Sequence, residues 1–411
     1  MASLLYLAGG LLSLATLGVA KKCTCGDFSG LTLPNIEVLS LDVAVNRTTV
    51  AESPGGHSTS VRFCQVSIQY THPGQNDAIT TWIGLPLREA EWNGRFLMEG
   101  GGGWQAGSPR NVLGPVSNGY TSSSTDGGLN TTATAAEWGM VSEGNVNWPA
   151  IIDFSSVALD EAARLGKLAT ELYFGKGLEY SYWSGCSTGG RRGHMMAQRY
   201  PENFDGIVAG CPAFNWHRFV MAEVWPPLLA QFLDTRPPSC VLDAFTAAAI
   251  EACDELDGVG NVDRFFLQGV DEYTSVIGTD NPDLTGLRKA GGKVLAWHGL
   301  ADTLIFPNGT IDYYERVVEA NKNVSDYYRF FLAPGVGHCS GGSGPNPSAY
   351  LLDTVRAWVE NGIAPETLPG TGAAVAGTNK TATRTLQLCR YPSVLTYVGA
   401  DPNDSASFTC V

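Results

Sequence analysis

From residue 61 the chain alternates apolar and polar positions, first through VRFCQVSIQY and then through AITTWIGLPL up to residue 87. A period of two marks half-buried strands, so an antiparallel pair is expected over 61–87. The preceding stretch, 23–60, reads as mixed and turn-rich. A short apolar strand, Phe96 to Met98, runs into Gly100-Gly101-Gly102-Gly103, where the backbone can turn sharply and approach another chain segment or a ligand. From Ala136 onward the pattern changes to strands separated by amphipathic helices. GMVSEG reads as a strand, SVALDEAARLGKLATELYF as a helix, YSYWSG as a strand, Arg191 to Tyr200 as a helix and FDGIVAGCP as a strand. The rhythm resumes with GKVLAWHG, a helix around TIDYYERVVEA, the strand YYRFFLAP and a last helix in SAYLLDTVRAWVENG. This alternation predicts an α/β fold with a mostly parallel sheet and helices on its faces.

Residues 214–289 interrupt the rhythm with Trp/Pro-rich and acidic sequence, and read as a cap inserted in a loop of the core. The expected organisation is therefore a leader over 1–20, a first half of the core over 21–213, the cap over 214–289, and a second half with a C-terminal tail over 290–411. No internal repeat and no heptad pattern is present.

The leader MASLLYLAGGLLSLATLGVA ends in small residues before Lys21-Lys22 and reads as a secretory signal peptide cleaved near Ala20. The competing reading is a single membrane anchor, against which its glycines and short length count. Ten cysteines, with no paired CxxC spacing and no nearby histidine cluster, indicate disulfides formed in an oxidising, extracellular compartment. Sequons at Asn46, Asn130, Asn308, Asn323, Asn379 and Asn403 agree with secretion. A formal charge of −14 excludes an electrostatic grip on nucleic acid or an anionic membrane surface, and keeps the protein soluble.

Chemistry enters at Gly185-Cys186-Ser187-Thr188-Gly189. A GxSxG pentapeptide between a strand and a helix presents its serine at the apex of a sharp turn. Taken alone, the same letters could be a glycine-rich loop with a buried hydroxyl. A serine hydroxyl needs a base to take its proton, and on this kind of fold the partners follow in the order Ser, acid, His. Asp302 lies just past the strand GKVLAWHG, and His338 just past YYRFFLAP, at the carboxyl ends of predicted parallel strands. His57 and His72 precede the serine, His194 lies on the following helix, His217 belongs to the cap, and His298 is placed to support the Asp302 loop. Cys186 precedes the serine and Cys339 follows His338. With Ser187 and His338 in hydrogen-bond reach, these cysteines come within disulfide distance.

These residues resemble the fungal tannase and feruloyl esterase family, which includes bacterial enzymes that hydrolyse mono(hydroxyethyl) terephthalate. Its hallmark is a Cys-Ser, Asp, His-Cys set closed by a disulfide, here Cys186-Ser187, Asp302 and His338-Cys339. WNGRF, STDGG, RYPENFDGIVAG, HGLADTLIFP and IDYYERV match as well, over nearly the whole mature chain. The resemblance implies an α/β-hydrolase fold and a secreted carboxylic ester hydrolase. Ser187 would be its nucleophile, His338 its general base and then acid, and Asp302 the group that orients the histidine. It also implies an oxyanion hole made by the N–H of Thr188 and one from Gly100 to Gly103, foremost Gly102 or Gly103; a plain turn is the other reading. The implied substrates are hydroxycinnamate esters such as feruloyl groups on plant cell wall sugars, with gallate esters as the alternative. A catalytically dead binding protein is a third possibility, because the cap is short.

The cap contains CDELDGVGNVD, whose closely spaced oxygens and bending glycine suit a hard cation or, more plainly, a solvated acidic turn. The resemblance implies structural calcium held by the side chains of Asp254, Asp257 and Asn261 and the carbonyls of Val259 and Asp263. Asn261 stands where the family has a third aspartate. It further implies a longer lid after this loop, whereas this chain passes quickly from FFLQGV to the strand at Lys293. Cys240 with Cys253 is expected to staple the cap, and Cys389 with Cys410 the tail. Cys64 is expected to join Cys23 or Cys25, with Cys211 left over. The sequence leaves the oligomeric state open.

Overall fold

The computed structural model describes residues 23–50, 59–129, 135–235, 238, 240–241, 262–321, 323–375, 383–399 and 401–411. The leader, the sequons at Asn130 and Asn379, Cys253, and Asp254, Asp257, Val259 and Asn261 lie outside them.

The expected antiparallel pair is there, within a larger sheet. β1 (Glu37–Val50), β2 (Thr59–Thr71) and β3 (Ile79–Pro86) pair in sequence order, and β5 (Ser122–Thr125) closes the sheet on β3. β1 corrects the turn-rich reading of 23–60. Its alternation is interrupted by a register shift between Val38 and Ser40, and Val38, Leu39 and Val45 are exposed. The apolar period therefore does not follow burial there.

β4 (Arg95–Glu99) lies between β3 and β5 in sequence but starts the second sheet. β6 (Met140–Ser142) and β7 (Asn145–Val146) form a separate hairpin, which corrects GMVSEG as a strand of the main sheet; Met140 and Val141 are exposed there. The main sheet adds β8 (Tyr180–Cys186), β9 (Gly206–Gly210), β10 (Lys293–Gly299) and β11 (Tyr328–Ala333), all parallel, in the order β11-β10-β9-β8-β4. A single bridge between Phe96 and Thr121 joins the two sheets.

Both faces of the parallel sheet are buried, which is why its strands read as continuous apolar runs. Trp183, Ile207, Ala209, Val294, Ala296 and Phe330 face the helices Val157–Phe174, Thr188–Arg199 and Pro307–Ala320. Their sequence neighbours Tyr182, Val208, Leu295, Trp297 and Phe331 face the helix Leu351–Asn361 on the other side. Because these strands run parallel, the loops that follow β8, β9, β10 and β11 all lie at one edge of the sheet.

In the cap, the helices Trp216–Phe232 and Val262–Ile277 pack together, and His217 Nε2 meets Thr274 Oγ1 at 3.0 Å between them. Asp263 lies in the second helix. Disulfides join Cys23 to Cys64 and Cys389 to Cys410, with Cα–Cα distances of 5.6 Å in each. Cys240 has no disulfide partner among the described residues. No described helix is long and apolar enough to cross a membrane.

One ion pair fastens the last helix to the sheet. Arg95 donates from Nε and Nη2 to the two Glu360 carboxylate oxygens at 2.7 and 2.6 Å, and Tyr182 OH donates to the same carboxylate at 2.8 Å. Both side chains are largely buried, so removing one strands the other. Glu360→Ala is expected to lower stability by about 3 kcal/mol, read from the denaturant midpoint, with Glu360→Gln losing less.

Candidate active site

Ser187 sits where β8 ends and the helix Thr188–Arg199 begins, with φ 64° and ψ −126°. A non-glycine residue holds such a conformation only when its surroundings impose it. They do so here by backbone contact. A Cβ on Gly185 would lie 2.5 Å from the carbonyl carbon of Gly189, and one on Gly190 would lie 2.3 Å from Gly210 O. Ser187 N–H donates to Gly210 O at 2.9 Å, and Trp183 Nε1–H donates to Gly189 O at 3.0 Å, which fixes the turn from both sides. With the 3.0 Å that a Cβ on Gly189 would leave to Gly101 O, these contacts explain the glycine at each end of the pentapeptide and the one after it.

Asp302 follows β10 and is buried. Its Oδ1 accepts the N–H groups of Leu304 and Ile305, both at 2.9 Å, while Oδ2 meets His338 Nδ1 at 2.8 Å and His298 Nε2 at 3.1 Å. Burial alone would raise this carboxyl. The hydrogen bonds from His298, His338 and the Ile305 amide outweigh it and hold Asp302 well below the usual carboxylate range. Asp302 is therefore an anion at any working pH. Facing it, His338 must carry its proton on Nδ1, which leaves Nε2 with a lone pair. His298 Nε2 also faces Ile305 O at 2.9 Å; both partners accept, so that nitrogen is the protonated one. Its Nδ1 meets Thr310 Oγ1 at 2.8 Å. His298 thus braces the Asp302 loop from the buried side.

The predicted Cys186–Cys339 disulfide is present, with a Cα–Cα distance of 6.0 Å. It ties the residue before Ser187 to the residue after His338. Sequence reasoning left Cys211 without a place. It is a free, buried thiol whose Sγ accepts the Cys339 N–H at 3.4 Å, and one sulfur each from Cys186, Cys211 and Cys339 lie within 4.8 Å of one another. Burial pushes the Cys211 thiol up to about 12, so it stays protonated. Only the strand-end position in IVAGCP hinted at this location. Also unread in the sequence, the cap helix brings Glu223 into electrostatic range of His338, and burial raises the Glu223 carboxyl.

Thr188 and the glycine turn come together as the sequence suggests: Thr188 Oγ1 donates to Gly103 O at 2.8 Å. Gly100 N–H is spent on Ser184 O and Gly101 N–H on Ala106 O, both at 3.0 Å. Gly102 and Gly103, both exposed, are the members of the run that remain to face a ligand. His194, by contrast, is buried between Gly190 O and Tyr328 OH, and burial lowers it to about 4. Its role is packing.

A strained serine at a strand-to-helix elbow, on a parallel sheet whose strands two and three places further along end at an acid and a histidine, defines an α/β-hydrolase. The model of the family described as tannase and feruloyl esterase matches residues 64–265 and 259–411, and the chain belongs to that family of carboxylic ester hydrolases. A probable feruloyl esterase of Arthroderma benhamiae is 34% identical, over 99% of this chain and 97% of its own. A tannase of Aspergillus oryzae is 24% identical, over 92% and 90%. Among solved structures, the tannin acyl hydrolase from Aspergillus niger superimposes with a TM-score of 0.80 at 24% identity, covering 95% of each chain. Feruloyl esterase B from Aspergillus oryzae gives 0.70 at 22%, covering 92% of this chain and 97% of its own.

The elbow contacts make a direct prediction. Gly185→Ala forces β8 and the following helix apart, and is expected to abolish ester hydrolysis and lower the melting temperature. Gly102→Ala, whose Cβ meets nothing within 4 Å, is expected to leave the melting temperature unchanged.

Proposed function

We propose that the protein is a secreted feruloyl esterase that cleaves hydroxycinnamate esters through an acyl-enzyme on Ser187. The observation that carries the mechanism is the pairing of two constraints on His338: Asp302 holds its Nδ1, and the Cys186–Cys339 bridge ties its neighbour to the residue before Ser187. His338 Nε2 takes the Ser187 proton as Oγ attacks the ester carbonyl. The N–H groups of Thr188 and of Gly102 or Gly103 receive the oxyanion. His338 then returns the proton to the departing alcohol, and water repeats the sequence to release the acid.

Support for the acyl group comes from a cavity of about 530 Å³ walled by Trp104, Trp138, Phe154, Trp216, Ile151 and Val220. Trp104 directly follows Gly103, so the cavity begins beside the proposed oxyanion turn. The cavity's walls are mostly indole, phenyl and aliphatic, with polar groups limited to His217, Gln268, Glu272 and Tyr273 on the cap side, a balance that suits a planar methoxylated cinnamoyl group. The most similar relative reported above carries the same name. Secretion is supported by the three disulfides, by the leader, and by the exposure of the described sequon residues Asn46, Asn308, Asn323 and Asn403.

Ser187→Ala is expected to reduce kcat/KM for methyl ferulate on the order of 10⁶-fold. The unaltered protein is expected to hydrolyse methyl ferulate faster than propyl gallate. The reverse order would move the assignment to a tannase, and labelling of Ser187 by neither ester nor phosphonate would leave a binding protein.

Calcium in the cap is proposed on donor chemistry alone. Asp254, Asp257 and Asn261 offer side-chain oxygens, Val259 and Asp263 offer carbonyls, and an all-oxygen set fits a hard cation. Bound there, the ion would supply structure only. Chelation is expected to lower the melting temperature and added calcium to restore it, with about 2.7 kcal/mol at stake when calcium is ~100-fold above Kd. An unchanged melting temperature in chelator would overturn the proposal.

A further inference from the structure

Far from Ser187 in sequence, at the turn from β2 to β3, four ionisable side chains converge. His72 and Asp77 come from this turn, Asp153 from the helix Trp148–Ser155 and Glu161 from the helix Val157–Phe174. His72 Nδ1 is 2.6 Å from Asp77 Oδ2, and Nε2 is 2.8 Å from Glu161 Oε1. His72 is 8% exposed and Asp153 only 2%. Three carboxyl groups thus surround one imidazole, more acidic oxygens than its two ring nitrogens can satisfy.

Asp153 carries the observation that decides how this is read. Its Oδ2 is buried and has no hydrogen-bond partner among the described residues, yet it belongs to the cluster. One ligand atom each from His72, Asp77 and Asp153 lie within 4.8 Å of one another. Donors at about 2.0–2.2 Å around a tetrahedral zinc ion lie about 3.3–3.6 Å from one another, so His72 Nδ1 and Asp77 Oδ2, now hydrogen-bonded at 2.6 Å, would open slightly to admit the ion between them and Asp153. Orphaned buried carboxylate oxygen, imidazole and second carboxylate together make a donor set, not a solvated acidic patch.

The surrounding hydrogen bonds are those that would hold such donors in place. Asp77 Oδ1 is occupied by Thr71 Oγ1 at 2.6 Å and by the His72 N–H at 2.8 Å, which aims Oδ2 inward. Glu161 Oε2 accepts from Tyr70 OH at 2.8 Å, leaving Oε1 to accept from His72 Nε2–H. A carboxylate behind a ligating imidazole fixes its tautomer and raises its basicity.

We propose that His72 Nδ1, Asp77 and Asp153 bind one divalent transition-metal ion of the zinc type, with Glu161 orienting the ring. Mixed imidazole and carboxylate donors favour zinc over calcium, so this site is chemically distinct from the all-oxygen loop of the cap. On binding, the ion replaces the Nδ1 proton, which leaves to solvent, and Nε2–H stays on Glu161. The ion would staple the antiparallel sheet to the two helices packed against it.

The test uses the purified full chain, stripped with chelator and then titrated with zinc in excess calcium so that the cap loop cannot compete. About one equivalent of zinc per chain is expected to bind, with a rise of several degrees in melting temperature. X-ray absorption at the zinc edge is expected to show nitrogen and oxygen neighbours at about 2.0–2.2 Å and no sulfur near 2.3 Å. Asp153→Asn is expected to lose the bound equivalent while melting, in chelator, close to the unaltered protein, because it keeps the shape of the side chain. Absence of stoichiometric zinc, a sulfur neighbour, or equal binding by Asp153→Asn would each overturn the proposal. Should that variant fail to fold, stoichiometry and absorption on the unaltered protein decide the matter.

Discussion

The site depends on how closely the backbone can pack at the carboxyl edge of the parallel sheet. Gly185 touches Gly189 across the elbow, Gly190 rests on Gly210 O, and a Cβ on Gly100 would fall 2.8 Å from Gly189 Cα. Three segments that are remote in sequence meet there with no side chain between them. That contact forces Ser187 into its left-handed conformation and sets the Gly102–Gly103 turn beside the Thr188 amide. The hydrogen bonds around Asp302 then add the histidine, from strands two and three places further along the sheet. Electrostatics refine a geometry that excluded volume has already imposed.

Where function concentrates, the sequence was legible because the determinants are punctuation. Glycines, an acid and a histidine stand directly after apolar runs, and parallel strands put the ends of those runs at one edge. The Cys186–Cys339 pairing was legible for the same reason. Elsewhere, composition and burial diverge. β5 is four hydroxyl residues, Ser122 to Thr125, all buried; Ser123 Oγ donates to Ala162 O at 2.6 Å and Thr125 Oγ1 to Thr80 O at 3.0 Å. Long-range side-chain-to-backbone bonds of this kind let a buried strand carry polar letters that read as a loop. Met140 and Val141 err in the opposite direction, as apolar letters on an exposed hairpin. Cys211 and the His72 cluster were illegible because their partners arrive from elements remote in sequence, and no spacing along the chain records that.

The cap is where this chain departs from its relatives. Its alignment with the Arthroderma benhamiae protein extends over 526 positions although the chain has 411 residues, and the two family matches meet at residues 259–265. The relatives thus carry sequence that this chain lacks, and the junction of the matches places the change within the cap. Consistent with a smaller cover, Leu304 and Phe306 on the Asp302 loop and Phe232 and Leu233 at the end of the first cap helix are about half exposed or more.

The disulfide between Cys186 and Cys339 gives that departure a topological meaning. The entire cap is threaded between its two cysteines, inside a covalent ring that opens at the elbow and closes at the histidine. Chain length within a closed ring is inexpensive to vary, since doubling a flexible loop costs only about 0.6 kcal/mol in closure entropy. The two ends stay clasped whatever lies between them. Evolution can therefore lengthen, trim or replace the cover over this edge as an exchangeable cassette, without having to rebuild the machinery beneath it.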